Sequence, residues 1–150
     1  MLKEQLADDL KSAMRAKDAV RLRTIRALRA ALMEKEIEQR QGGSATLTED
    51  QELAVLQKQA KQRRDAIEQY EDAGRDDLKE KEEEELVIIE EYLPRQLTED
   101  EVRGVVREVI ETTGAESKAD MGKVMGAAMG RLRGRADGSM VQRVAVELLS

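Results

Sequence analysis

The chain has 150 residues, with 26 Lys and Arg against 32 Asp and Glu and a formal net charge of −6. It contains no Cys and no His, which excludes zinc sites built on those ligands, thiol nucleophiles, disulfides and imidazole acid–base catalysis. Tyr70 and Tyr92 are the only aromatics, too few for the stacking platforms of single-strand binders. No apolar run reaches membrane-spanning length, and the opening MLKEQLADDL is too acidic and interrupted for a signal peptide. A soluble, cytoplasmic, all-α protein without a membrane partner is expected. The charge is uneven: residues 1–40 hold 10 basic and 7 acidic side chains (+3), and residues 41–100 hold 8 and 18 (−10). Residues 101–150 carry +1, and the stretch 118–143 alone carries +4. An acidic total argues against a general DNA or RNA coat but permits a local basic patch.

Apolar positions follow helical spacing almost throughout. Leu2, Leu6, Leu10 and Met14 mark a first short helix, broken at Ala16-Lys17-Asp18, where Asp18 can cap the next. The second helix buries Ile25, Leu28 and Leu32 and runs to about Gln41, before the flexible stop Gly42-Gly43-Ser44. Thr48-Glu49-Asp50-Gln51 is a capping-box pattern opening a third helix with Leu53, Leu56, Ala60 and Ile67 inward, ending near Gly74. A fourth starts near Asp76 and buries Leu86, Val87, Ile88 and Ile89.

The chain's single proline, Pro94, biases its predecessor away from helix and sets a domain boundary, giving domains 1–94 and 95–150. Thr98-Glu99-Asp100-Glu101 is a second capping box, with Leu97 and Val102 as a hydrophobic staple. The helix it opens carries Val102, Val105, Val106, Val109 and Ile110 and stops at Gly114. Ser117 starts another helix, and Asp137 caps a last one with Val141, Val144, Leu148 and Leu149 inward. The expected architecture is an elongated four-helix N-terminal part followed by a compact three-helix C-terminal module.

The stretch Asp120–Gly138 carries Gly122, Gly126, Gly130 and Gly134 at four-residue spacing, beside Met121, Met125 and Met129 at the same spacing. Residues four apart stack on one face of a helix. Each internal glycine costs about 1 kcal/mol relative to alanine, so something is expected to approach that bare backbone. A neighbouring helix, a protein partner and a nucleic-acid backbone are the candidates. Lys123, Arg131, Arg133 and Arg135 lie beside the glycines, and basic side chains with free N–H groups are the usual phosphate partners. The competing reading is close helix packing with a solvated basic face. The methionines read as core, with an adaptable binding surface as the alternative.

DMGKVMG followed by GRADG and a short terminal helix resembles the C-terminal module of the YqeY-like family. AMRAKD, RLRTIRALRAAL, KQRRDAIEQYEDAGRDDL and EEYLPRQLTEDE resemble its N-terminal features, in the same order and over nearly the whole chain. Where the family pattern places proline after the last methionine, this chain has Gly130. The same module forms the tail of the B subunit of the glutamine-dependent amidotransferase that acts on mischarged tRNA. The resemblance therefore implies a tRNA-binding accessory protein in translation, with Lys123, Arg131, Arg133, Arg135 and Arg143 touching phosphates. A label of carbon–nitrogen ligase with glutamine as amide donor would be inherited from the larger enzyme's catalytic domain. The alternatives are an adaptor that docks a partner helix, such as one from the amidotransferase machinery, on the Gly/Met face, and an amidase acting on charged tRNA. DNA is not an expected partner.

Residues 15–30 hold six basic side chains against Asp18 alone. These are a second RNA contact or, preferably, electrostatic partners of the acidic fourth helix. KEKEEEE at 79–85 reads as a solvated face, because consecutive carboxylates point around a helix and do not converge on an ion. No GxxxxGK[ST] loop or GxSxG elbow occurs. Asp120 with Lys123 reads as a salt link between adjacent turns. No catalytic residue, cofactor or metal site is assigned.

Overall fold

The computed structural model describes residues 1–40, 43 and 46–150. Among these the chain is all-α: seven α-helices, one 3-10 turn and no strand. It divides into two compact units, Met1–Leu93 and Pro94–Ser150.

In the first unit, α1 (Leu2–Ala16) ends at Lys17, whose φ of 56° turns the chain left-handed. Asp18 then caps α2 (Ala19–Glu38) by accepting from the Arg21 N–H at 3.0 Å. Lys3 reaches Glu36 at 3.0 Å, so α1 and α2 lie antiparallel. Helix α2 stops before Gln41, which with Gly42 and Ser44 of the expected stop lies outside the described residues. Thr48 and Gln51 form a reciprocal capping box at the start of α3 (Glu49–Asp72), which gives way through Gly74 (φ 68°) to α4 (Asp76–Glu90). Leu6, Ala13, Ile25, Leu28, Leu32, Leu56, Ala60, Ile89 and Leu93 form the core of this unit.

Three expectations are corrected here. Met14 is 54% exposed and Ala13 takes the inward place, because the α1 stripe drifts as 3.6 residues per turn accumulate. Val87 is 63% exposed: four consecutive apolar residues cannot all face one side of a helix, and α4 buries Ile88 and Ile89 instead. Glu85 is not on a solvated face but buried, with Arg23 Nε 3.5 Å from its Oε1, beyond good hydrogen-bond geometry. Arg21 pairs with Glu91 at 2.6 Å and Arg64 with Glu90 at 3.8 Å. Internal pairing thus takes Arg21 and Arg23, while Arg26 and Arg29 stay exposed.

In the second unit, α5 (Glu99–Thr113) packs with α6 (Met121–Leu132) and α7 (Gly138–Leu149) around Val102, Val106, Val109, Val124, Ala128, Leu132, Val141, Val144 and Ala145. Glu99 pairs with Arg143 and, one turn further along both helices, Arg103 pairs with Glu147, so α5 and α7 run parallel. Thr98 accepts from the Glu101 N–H at 3.2 Å, but the second capping box is only half formed. The Glu101 carboxylate turns instead to Arg95, 3.2 Å away.

Candidate nucleic-acid interface

The entry to α6 is built by local polar bonds. Ser117 caps a 3-10 turn, Lys118–Asp120, and Asp120 accepts from the backbone N–H groups of Glu116 (2.9 Å) and Ser117 (3.4 Å). These bonds, with a smaller contribution from the Lys123 charge, hold the Asp120 carboxyl below its ordinary pKa. The expected Asp120–Lys123 salt link is not formed, because the carboxylate is engaged by backbone. Lys123 stays exposed without an ion pair among the described residues.

Helix α6 runs through Gly130 and stops at Leu132, so the missing proline lets it continue. Val124, Ala128 and Leu132 are its buried side. Met121, Met125 and Met129 are half-buried and pack against the core's edge. Gly122, Gly126 and Gly130 are exposed, and a Cβ placed on any of them would meet nothing within 4 Å. Close helix packing therefore does not account for them. Gly134 leaves the stripe: it lies beyond the helix end, buried, with φ 76°, where a left-handed backbone favours glycine.

The loop after α6 is held by the segment that follows Pro94. Gln96 Nε2 donates to the Gly134 carbonyl (2.7 Å), and the Leu97 N–H donates to the Arg135 carbonyl (2.8 Å). This strap fixes the backbone that carries Arg133 and Arg135. Arg133 is exposed; Arg135 is half-buried and has no ion pair among the described residues. Two other candidates are drawn to α5. Arg131 donates to Glu108 at 2.7 Å, and Arg143 to Glu99 at 3.1 Å. Of the five cations, Arg131 and Arg143 are thus bonded to α5 carboxylates, and Lys123, Arg133 and Arg135 are carried by α6 and its following loop. No spacing rule pointed to Glu99, Glu108 or Gln96, since their partners come from distant parts of the chain.

Among the described residues no group of His, Cys, Asp and Glu is placed to hold a metal ion, and no helix is long and apolar enough to cross a membrane.

An all-α chain whose C-terminal unit shows an open glycine face beside a strapped basic loop defines the class. The chain belongs to the YqeY-like family, whose model, described as Yqey-like protein, matches residues 3–149. It is 35% identical over 149 residues to altered inheritance of mitochondria protein 41, mitochondrial, of Pyrenophora tritici-repentis, covering 97% of this chain and 79% of that protein. Proteins of the same name from Lachancea thermotolerans (41%) and Eremothecium gossypii (39%) align over 88 residues, 59% of this chain and 46% of theirs. These names overturn the cytoplasmic expectation. That expectation rested on the lack of an apolar leader, whereas mitochondrial targeting segments are amphipathic and Arg-rich, so the criterion could not separate the two compartments.

Proposed function

We infer that the C-terminal unit binds the phosphate backbone of tRNA, as an accessory module comparable to the amidotransferase tail. The observation that carries this reading is the open glycine face of α6. Gly122, Gly126 and Gly130 weaken a helix without serving any contact inside the chain, and Lys123 lies on the same exposed side. A bare backbone with adjacent cations lets a phosphate chain approach closely. Arg135 extends the positive surface and Arg133 lies on the same loop, while Arg131 and Arg143 would have to exchange α5 carboxylates for phosphates. The module binds rather than catalyses; the ligase label stays with the larger enzyme. The relatives' names support a mitochondrial setting for this role. The adaptor reading is weaker, because the methionines it needs are already partly used by the core.

Binding of total tRNA and of duplex DNA, measured over a salt series, tests the reading. Affinity for tRNA over DNA is expected, and Arg133→Ala or Arg135→Ala should each reduce the salt slope by about one. Gly126→Ala should stabilise the unit by about 1 kcal/mol, since the added methyl meets no neighbour. Gly126→Leu should fold as well yet bind tRNA poorly. Unchanged binding by Gly126→Leu, together with unchanged slopes, would overturn the assignment.

A further inference from the structure

Helix α2 has an exposed face that neither its core nor the proposed RNA contact uses. Ala30, Met33 and Ile37 follow i, i+3, i+7 spacing, and all are exposed, Met33 at 52% and Ile37 at 61%. Arg26 lies one turn earlier on this face and Arg29 along one edge, and Arg40 follows beyond the end of the helix at Glu38. All three arginines are exposed and have no ion pair among the described residues. The other basic residues of α2 each have a carboxylate: Arg21 has Glu91, Arg23 has Glu85 and Lys35 has Glu38. Glu36, on the arginine edge, is held by Lys3 at 3.0 Å. Glu34 and Glu38 sit on the opposite edge, where they line a cleft against Val55 and Lys58 of α3. The face is thus an apolar strip, about 16 Å long from Arg26 to Ile37 by helical rise, with one basic and one acidic edge.

We propose that this face docks an amphipathic helix of a partner protein. The partner is apolar where it meets Ala30, Met33 and Ile37, and acidic where it meets Arg26 and Arg29. The spacing is that of helix recognition by regularly placed anchors. An RNA backbone would engage the arginines but gain nothing from Met33 and Ile37. An anionic bilayer is disfavoured because the chain has no Trp or Phe to anchor in it. A single short helix fits the strip. This proposal is independent of the tRNA reading.

The test uses the full chain, isotope-labelled for NMR, and four probes. These are a synthetic amphipathic helix with a leucine strip and a glutamate edge, the same peptide with lysines for the glutamates, phosphatidylserine-containing vesicles, and duplex RNA. The acidic peptide is expected to shift amides of residues 26–40, and the lysine peptide is not. Met33→Gln with Ile37→Gln should weaken binding at least about tenfold, the scale of losing one buried apolar side chain. Arg29→Glu should weaken the acidic peptide and improve the lysine peptide. All the substituted residues are exposed, so circular dichroism should be unchanged. Absence of α2 shifts with the acidic peptide, equal binding of both peptides, or α2 shifts produced instead by vesicles or RNA would each overturn the proposal.

Discussion

At the scale of single residues, Tyr92 ties the end of the first unit to α1. Its hydroxyl donates to the Asp9 carboxylate, and burial, followed by that bond, pushes its pKa far above the ordinary 10.0. A tyrosine whose folded pKa is raised contributes stability that is complete below the unfolded value and lost as pH rises through and beyond it. The first unit should therefore weaken above about pH 10, and Tyr92→Phe should flatten that alkaline limb. Phenolate absorbance should show one late-ionising tyrosine in the parent, absent from Tyr92→Phe; identical titrations in both would refute the tie. Asp9 and Tyr92 are distant in sequence, so no periodicity could reveal them. Glu85 shows the same limit: the run KEKEEEE gives each glutamate the same local signature, and only the position of Arg23 on α2 distinguishes the buried one.

At the scale of elements, the helix starts were legible because caps are local. Asp18, Thr48, Thr98, Ser117 and Asp137 each accept from an N–H two or three residues ahead, a geometry set by the residues themselves. What was not legible is competition for a capping side chain. Gln51 reaches back to the Thr48 N–H at 2.9 Å, whereas Glu101 is taken by Arg95. Thr48→Ala and Thr98→Ala should each cost about 1 kcal/mol in urea unfolding. Arg95→Ala should cost little, because the freed Glu101 can complete its box; a loss as large as that of Thr98→Ala would argue against this exchange. The spacing of the glycines is legible in the sequence as far as Gly130, where the helix still runs; Gly134 lies beyond its end. Four-residue periodicity puts Gly122, Gly126 and Gly130 on one face, yet whether a neighbour covers it depends on where α5 and α7 pack.

At the scale of the molecule, the two units have separate hydrophobic cores, one around Ile25 and Leu28 and the other around Val106 and Leu132. Ile25→Val should cost about 1 kcal/mol and Leu132→Ala about 2–5 kcal/mol. Combined in one chain, the two costs should add within about 0.5 kcal/mol, as for sites without shared partners. Coupling well beyond that, read from denaturant unfolding of the double variant, would show that the cores share stability. The family relation was legible because its motifs run along nearly the whole chain in order. Compartment was not, since helical packing physics is the same in either.

The strap after Pro94 also gives the C-terminal unit a clock. The Leu97 amide belongs to no helix, yet it is bonded to the Arg135 carbonyl in the loop between α6 and α7. Such an amide does not exchange by fraying of a helix end; the segment before α5 and the loop that carries Arg133 and Arg135 must first come apart. Leu97 should therefore exchange as slowly as the core amides of Val106 and Val144, although its neighbours Arg95 and Gln96 exchange fast. Its protection would report the lifetime of the basic loop in its held form, residue by residue and without any ligand present.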